Sequence, residues 1–355
     1  MIDYPAHLEA MWQKAIAPRL ADAPTVISTF AGGGGSSTGY LMAGYRELLA
    51  VEWDNNAVET LRLNYPDLDI YHGDIARLTA DEVLHRTGLQ PGGLDVLDGS
   101  PPCQGFSTAG KRDFGDDRNQ LFREYVRLLR GLQPRILVME NVSGMVKGKM
   151  KLIFADILRE LKTSGYLVSA RLLNAMYFHV PQSRQRMIFI GVRKDLGIAP
   201  SHPKAESRPV TVRQAIGVGI KDGTIDQANG LQRYEVGKWI IRCRAGEQAS
   251  KYHPRGHFFN AARVPLDKPS QTIPKTGGYS EASLCHFSEL RYLTASELRR
   301  LSSFPDNYKL IGTLQNAYNR IGNSVPPLFM EAIARHIRTE VLDKSPVLIS
   351  PASNT

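Results

Sequence analysis

The residue best suited to chemistry is Cys103, which lies in the sequence GSPPCQGFS at residues 99–107. Two prolines restrict the backbone immediately before the cysteine, and a Gly/Ser-rich stretch follows it. A thiolate exposed where a strand meets a loop is well placed to attack a substrate. A lone cysteine is more often a small buried hydrophobe, and the chain has three cysteines in all. Its setting nevertheless favours interpreting Cys103 as a nucleophile.

Further along the chain, an acid and two arginines stand next to predicted strands. Glu140, in the sequence Glu-Asn-Val, follows a buried run and is a candidate general acid. Arg184 and Arg186 are spaced by two, so both would lie on one face of a strand and point into one site. The ordinary alternatives are a capping or salt-bridged acid and a solvated strand edge. These three side chains become a site only if the fold brings them to Cys103.

A glycine cluster, Phe-Ala-Gly-Gly-Gly-Gly at residues 30–35, is typical of either a tight turn or a ligand-binding loop. Its spacing matches neither the dinucleotide fingerprint nor the P-loop. The next two strands are predicted to end in acids, Glu52 and Asp74, and Trp53 follows the first acid. Glu52 would bind ribose hydroxyls, Trp53 would either stack on adenine or simply pack, and Asp74 would accept from the adenine amino group. An adenosine pocket without a pyrophosphate motif predicts S-adenosylmethionine rather than NAD.

Alternating strands and helices are predicted to position these residues. Strands are predicted at Thr25–Phe30, Leu48–Glu52, Leu68–Tyr71, Leu94–Leu97, Arg135–Met139 and Met187–Val192. Helical spacing begins near Ser36 and recurs at Asn55–Asn64, Thr79–Arg86, Asn119–Leu132, Leu152–Leu161, Thr294–Leu301 and Pro327–Leu342. The alternation predicts an α/β fold with a doubly wound, mostly parallel sheet.

Residues 194–287 interrupt this pattern, because they are rich in Pro, Gly, Lys and Arg and show no sustained period. We predict a second, smaller and irregular domain there. Residues 1–193 and 288–345 would form the main domain, which the C-terminal helix rejoins. Residues 346–355 are predicted to be a disordered tail.

The formal net charge is +9, and its distribution is uneven. Residues 171–263 contain 16 Lys/Arg and six Asp/Glu, whereas the rest of the chain contains 28 and 29. This excess is typical of either a solvated, loop-rich surface or a surface that binds nucleic-acid phosphates. No apolar run approaches the roughly 18 residues of a membrane span, and the N-terminus lacks a signal peptide's apolar core. A cytoplasmic protein is therefore expected.

The order of the motifs resembles that of the DNA (cytosine-5)-methyltransferase family. Phe-Ala-Gly-x-Gly-Gly, Pro-Cys-Gln, Glu-Asn-Val and Gln-x-Arg-x-Arg occur in family order, and Gly-Asn-Ser-Val-Pro follows at 322–326. Arg-Asn-Gln-Leu-Phe at 118–122 and the segment 291–305 also match. The resemblance covers residues 25–193 and 288–340 and implies a Rossmann-like, S-adenosylmethionine-dependent methyltransferase. Residues 194–286 fall where the family has its variable target recognition domain.

The resemblance implies that Cys103 adds to C6 of a cytosine flipped out of duplex DNA, and that C5 then receives the methyl group of S-adenosylmethionine. Glu140 would hold and protonate N3, while Arg186 and Arg184 would bind the O2 side. The implied cofactor-binding residues are Phe30, Ala31, Gly32, Gly34, Gly35, Glu52, Trp53, Asp74, Ile75, Pro102, Leu121, Asn323 and Ser324. The candidate DNA contacts are Gln104, Ser107, Lys111, Arg112, Arg208 and Arg213. No metal is required.

Two positions depart from the family pattern. The family commonly has Asp-Leu before Phe-Ala-Gly, where this chain has Ser28-Thr29, and this change would weaken a contact near the methionine end of the cofactor. Gly99-Ser100 also replaces a Gly-Gly pair, which is a mild change.

Two alternatives within the family imply other functions. The branch that methylates tRNA is expected to carry Cys-Phe-Thr, whereas this chain has Cys243-Arg244 and Cys285-His286. A binding protein that regulates without catalysis is expected to have lost the Pro-Cys, Glu-Asn-Val or glycine motif, all of which are present. The sequence thus favours a DNA-modifying enzyme of bacterial or phage type, monomeric and with a restriction endonuclease as a candidate genetic partner.

Overall fold

The structure is a computed structural model that describes residues 3–102, 120–146, 150–258, 260–276 and 283–345. Five of the predicted site residues lie outside this part of the chain: Cys103, Gln104, Ser107, Lys111 and Arg112. The predicted tail, 346–355, also lies outside it. The other predicted site residues are all described.

Seven strands form one sheet within the described residues: β1 Thr25–Thr29, β2 Arg46–Glu52, β3 Ile70–His72, β4 Val96–Gly99, β5 Ile136–Val142, β6 Tyr166–Asn174 and β7 Gln185–Arg193. Their order across the sheet is β3-β2-β1-β4-β5-β7-β6. Neighbours from β3 to β5 pair in parallel, and β7 pairs antiparallel with both β5 and β6. The predicted mostly parallel sheet is therefore confirmed, with β7 reversed.

The helices within the described residues are α1 Tyr4–Ile16, α2 Gly35–Met42, α3 Asn55–Asn64, α4 Ala80–Thr87, α5 Gln120–Leu132, α6 Met150–Thr163, α7 Val212–Ile216, α8 Ile225–Ala228, α9 Gly237–Ile240, α10 Ala295–Leu301, α11 Leu314–Asn323 and α12 Pro327–Ile337. One hydrophobic cluster joins α1, α2, α3 and α12 to one face of the sheet. A second joins α4, α5 and α6 to the other face. Because both faces of the sheet are covered, its central strands are deeply buried, as in β1, where all five residues are buried although three of them are Thr or Ser.

The segment 194–287 contains three short helices, α7 to α9, and the two-residue strands β8 Ala262–Arg263 and β9 Leu284–Cys285 among its described residues. Buried side chains of this segment, such as Val212, Ile240 and Val264, belong to the same hydrophobic cluster as α1, α2 and α12. The boundaries of a target recognition domain at 194 and 287 remain a prediction.

Among the described elements outside residues 194–287, three were not predicted from the sequence: α1, β6 and α11. β6 is an edge strand whose residues are mostly only partly buried, so its apolar and polar residues alternate weakly. Each of the two helices begins with a capping side chain, Asp3 for α1 and Thr313 for α11. Those caps are the sequence signals that reveal the two helices.

Candidate active site

The segment that leads to Cys103 is fixed at the carboxyl end of β4. Gly99 ends β4, and a Cβ there would approach Thr29 Oγ1 to 2.4 Å and the Tyr125 ring to 2.7 Å, so only glycine fits. Two residues later, the Pro101 carbonyl accepts a hydrogen bond of 3.3 Å from Asn141 Nδ2. This bond ties the start of the cysteine loop to the end of β5. Asn141 lies within the Glu-Asn-Val motif, but no role for it was predicted from the sequence.

Glu140 and Arg186 form a close ion pair next to the hydrogen bond between Asn141 and Pro101. The antiparallel register of β5 and β7 sets Glu140 opposite Ile188 and Val142 opposite Arg186, which makes Glu140 and Arg186 diagonal neighbours. Arg186 Nε lies 2.6 Å from Glu140 Oε1, and the two side chains are only 13% and 9% exposed. A carboxylate and a guanidinium, both largely shielded from water, thus stand next to the segment that carries Cys103.

Arg184 lies deeper than Arg186. It is buried, and its Nη2 donates a hydrogen bond of 3.0 Å to the carbonyl of Gly322, in the Gly-Asn-Ser-Val-Pro motif. Burial and, to a smaller extent, the positive charge of Arg186 together lower the pKa of Arg184 to about 9, although Glu140 opposes both effects. Arg184 and Arg186 therefore lie close enough to Glu140 to interact with it electrostatically, and their placement in one catalytic site stays a prediction. Arg184 also joins the strand to the C-terminal segment.

At the carboxyl end of β2, Glu52 binds the glycine loop through its side chain. Its Oε2 accepts a hydrogen bond of 2.7 Å from Gly32 N, and its Oε1 accepts from Trp53 N and Asp54 N. Each carboxylate oxygen has two acceptor sites, so Oε2 retains capacity for one hydroxyl donor. This geometry is compatible with the predicted bond to ribose.

Trp53 and Asp74 stand at the ends of successive strands, as predicted. Trp53 is 77% exposed, an unusual exposure for an indole, and its ring is therefore accessible to a flat ligand. Asp74 is also exposed, and its carboxylate caps a short turn by accepting from Ala76 N at 3.0 Å. Next to them, Phe30, Ile75 and Leu121 contribute to one hydrophobic cluster. Two carboxylates, an exposed indole and a cluster of apolar side chains thus lie near the carboxyl ends of β2 and β3.

The glycine loop packs against the C-terminal segment. A Cβ at Gly34 would lie 2.4 Å from Tyr308 Oη, and a Cβ at Gly35 would lie 2.1 Å from the carbonyl oxygen of Val325. Close approach to protein therefore favours glycine at both positions, and Gly34 also has a positive φ, as does Gly32, whose surroundings are open. Ala31 of the same loop is buried. Tyr308, which the sequence analysis missed, also donates to the Gly33 carbonyl at 2.8 Å.

Of the remaining residues predicted near the cofactor, Ser324 flanks this loop, because a Cβ at Gly33 would lie 3.2 Å from its Oγ. Ser324 is buried, and its hydroxyl donates to the Arg320 carbonyl at 2.7 Å, so it terminates α11. Arg320 in turn forms an ion pair of 3.0 Å with Asp54, next to Trp53. Asn323 and Pro102 are exposed.

Gly35→Ala is expected to destabilise the protein by about 3 kcal/mol, since the new methyl group would overlap a backbone carbonyl that cannot move alone. Equilibrium denaturation measures this loss of unfolding free energy. Gly230→Ala is the matched control, because a Cβ at Gly230 meets nothing within 4 Å. An unchanged unfolding free energy for Gly35→Ala would contradict the close packing of loop and C-terminal segment.

The sequence profile of the C-5 cytosine-specific DNA methylases matches residues 24–339 of the chain. The chain belongs to this family. The DNA methylase is 35% identical over 327 residues to a Type II methyltransferase, M1.HphI of Haemophilus parahaemolyticus, and the match covers 88% of this chain and 86% of the relative. It is 32% identical to the Type II methyltransferase M.Eco47II of Escherichia coli, over 90% of this chain and 80% of the relative.

The fold of the methylase also occurs in solved structures. A putative DNA modification methyltransferase encoded within an Escherichia coli prophage superposes with a TM-score of 0.72 at 25% identity, covering 90% of this chain and all of that one. Spodoptera frugiperda DNMT2 superposes with a TM-score of 0.64 at 20% identity, covering 87% and 98%, which reflects the shared fold.

The two thiols of the methylase other than Cys103 are both buried. Burial raises the pKa of Cys285 to about 12 and also raises the pKa of Cys243. A thiol with a raised pKa forms little thiolate at neutral pH, so neither residue is suited to nucleophilic attack.

Two candidate DNA contacts, Arg208 and Arg213, are exposed in the methylase. Arg213 Nε lies 2.7 Å from Asp267 Oδ1, so its charge is already paired, whereas Arg208 belongs to an exposed stretch before α7. In the described part of the chain, no three His, Cys, Asp or Glu side chains come together as a potential metal site. Nor is any described helix both long and apolar enough to cross a bilayer.

Proposed function

We propose that this methylase transfers a methyl group from S-adenosylmethionine to C5 of a cytosine flipped out of a specific duplex DNA sequence, with Cys103 as the nucleophile. The observation that carries the proposal is the bond between Asn141 and the Pro101 carbonyl, which anchors the start of the cysteine loop beside the Glu140–Arg186 pair. The two buried thiols add support, because they leave Cys103 as the thiol suited to attack.

The proposed role of the chain is to activate a poor nucleophile, cytosine C5. Attack of the Cys103 thiolate on C6 places negative charge on the N3 and O2 side of the ring. Glu140 would hold and protonate N3, and the guanidinium of Arg186, with Arg184 behind it, would stabilise charge at O2. After C5 is methylated, loss of its proton to solvent would re-form the C5–C6 double bond, and the C6–S bond would break to release the Cys103 thiolate. Shielding of the pair from water strengthens these interactions.

The residues at the edge of the sheet fit S-adenosylmethionine. When bound, this compound supplies an electrophilic methyl group on a sulfonium. Glu52 would accept from ribose through the free acceptor site of Oε2, the exposed face of Trp53 would stack on adenine, and Asp74 would accept from the adenine amino group. The remaining proposed contacts are Phe30, Ala31, Gly32, Gly34, Gly35, Ile75, Pro102, Leu121, Asn323 and Ser324.

Double-stranded DNA is the proposed substrate, and the basic stretch 171–263 would supply most phosphate contacts. Residues 194–287 would act as the target recognition domain and read the major groove. The loop after Cys103 would close on the gap left by the flipped cytosine or on the phosphates. Its proposed DNA contacts are Gln104, Ser107, Lys111 and Arg112. A cytoplasmic monomer with a cognate restriction endonuclease as genetic partner completes the proposal, since its relatives are named Type II methyltransferases.

Removing the charges of Arg208 and Arg213 together should flatten the salt dependence of DNA binding. Each lost phosphate contact reduces the slope of log K against log salt by about 0.9. Because Asp267 already pairs with Arg213, we expect most of the change from Arg208→Gln. Fluorescence anisotropy at several salt concentrations measures the slope, with Arg62→Gln on α3 as the control. An unchanged slope in the double variant would remove these residues from the DNA interface.

A tritiated methyl-transfer assay tests the function as a whole. The protein would receive labelled S-adenosylmethionine with mixed-sequence duplex DNA, and with bulk tRNA in parallel. Label at C5 of cytosine in DNA supports the proposal and reveals the target sequence. Label in tRNA would move the protein to the RNA-modifying branch. Tight DNA binding without transfer to either substrate would favour a regulator.

A further inference from the structure

We propose that Asp98 is a positioning residue for the cofactor loop, residues 30–35. Its buried carboxyl would hold the first turns of α2, and through them the glycines of the loop. Asp98 lies on β4 and pairs with Ser28 on β1, the position where the family commonly has its acid. The inference rests on the proposed function, because the ligand of this loop is the proposed S-adenosylmethionine.

Asp98 and Ser28 are direct partners in the sheet. The parallel register of β1 and β4 pairs Ser28 with Asp98, and adjacent strands lie about 4.8 Å apart. Both residues are essentially inaccessible, at 0% and 2% exposure. The apolar residues two positions earlier, Val26 and Val96, share one hydrophobic cluster with α2, so Ser28 and Asp98 face α2 as well. A carboxyl at either position would reach the same space beneath the helix.

The carboxyl of Asp98 contacts the helix that follows the glycine loop. Tyr40, in the second turn of α2, donates from Oη to Asp98 Oδ1 at 3.3 Å. The Ser36 hydroxyl, in the first turn, also interacts with this carboxyl. The backbone carbonyl of Asp98 accepts from Thr29 Oγ1 at 2.9 Å, directly before Phe30. Asp98 is thus joined to both ends of the loop, to the residue before it and to the helix after it.

A second carboxyl explains why position 28 is uncharged. Glu47 on β2 accepts from Ser37 Oγ at 2.8 Å, beneath the same helix. Burial raises the pKa of Asp98 to about 8, which Glu47 and, more weakly, Glu140 reinforce and the Ser36 and Tyr40 hydroxyls oppose. Burial likewise raises the pKa of Glu47 to about 7. A third acid at Ser28 would add charge that this space cannot solvate. Serine at 28 and aspartate at 98 therefore form a matched pair.

The test exchanges the two residues. Asp98→Ser is expected to weaken S-adenosylmethionine binding about tenfold, the effect of losing a buried hydrogen-bonding group. Ser28→Asp alone should weaken it comparably, because three carboxyls crowd the space. The double variant Ser28→Asp/Asp98→Ser should recover to within about threefold of the original protein. Asp98→Asn should also bind well, since an amide replaces a protonated carboxyl.

Equilibrium dialysis with labelled S-adenosylmethionine gives the dissociation constant without requiring catalysis, and thermal unfolding reports stability in parallel. Asp95→Asn is the matched control. Asp95 immediately precedes β4, and its carboxylate accepts a hydrogen bond from Thr25 N at the amino ends of β1 and β4, whereas Asp98 lies near their carboxyl ends. This control should lower the melting temperature and leave the dissociation constant unchanged.

The inference is overturned if Asp98→Ser changes the melting temperature alone, because the residue would then be merely structural. It is also overturned if the double variant binds no better than the worse single variant, or if Asp98→Asn binds as poorly as Asp98→Ser. Should Asp98→Ser fail to fold, the double variant and Asp98→Asn still decide the matter. If the original protein does not bind S-adenosylmethionine, the proposed function itself fails, which is a distinct result.

Discussion

Cys103→Ser is expected to reduce methyl transfer by about 10³-fold or more, the scale on which enzymes lose activity without their nucleophile. A free cysteine thiol has a pKa of about 8.5 and forms some thiolate at neutral pH, whereas a serine hydroxyl remains almost entirely protonated. The side chains are similar in size, so binding of DNA and S-adenosylmethionine should persist. Rates of tritium transfer to duplex DNA, measured beside binding constants, separate these two effects.

Cys243→Ser is the control for that experiment, because Cys243 is buried and its Sγ contacts the Trp239 carbonyl at 3.5 Å. It should transfer methyl groups at the rate of the original protein. Duplex DNA with 5-fluorocytosine offers a second readout, since a ring without a C5 proton cannot eliminate the thiolate. The original protein should become covalently attached to this DNA, and Cys103→Ser should not. Attachment in the serine variant would contradict the assigned nucleophile.

Glu140→Gln is expected to lower kcat by about 10² to 10⁴-fold, the usual contribution of a general acid. Glutamine has the shape of glutamate but no proton to transfer to N3, and it leaves Arg186 without its close counter-ion. Binding of S-adenosylmethionine should change little, because Glu140 lies on β5 whereas the predicted adenosine contacts follow β2 and β3. Single-turnover rates at saturating DNA isolate the chemical step.

Glu160→Gln serves as the control for Glu140→Gln. Glu160 also pairs with an arginine, Arg130 at 2.9 Å, but both side chains are about half exposed and lie on helices α6 and α5. Exposed pairs contribute little, so this variant should retain its rate. Equal rates for the two variants would show that Glu140 is only a structural partner of Arg186.

Much of the sheet could be predicted because its central strands are covered on both faces. β1 and β2 read as short apolar runs, and the residues that end them, up to Glu52 and Trp53, therefore fall at the predicted edge. The pairing of Glu140 with Arg186 could not be predicted in this way. It depends on the reversed direction of β7, which no local pattern reveals.

Contacts between distant segments account for most of what the sequence did not predict. The hydrogen bond from Asn141 to Pro101 links residues 40 positions apart in the sequence, and the hydrogen bond from Tyr308 to Gly33 links residues 275 positions apart. Spacing within a motif carries no information about such partners. The reason for glycine at Gly35 is likewise a carbonyl, that of Val325, supplied by the far end of the chain.

That last contact has a consequence for the timing of synthesis. The glycine loop is translated early, but the surface that packs against it comes from Ser324 and Val325, and α2 packs through Gly39 on Met330 of α12. A ribosome that has not yet released these residues therefore carries a glycine loop without the surface that packs against it. The nascent methylase should remain inactive until residues 324–330 have left the ribosome, so products truncated before these residues would pose no risk of stray methylation.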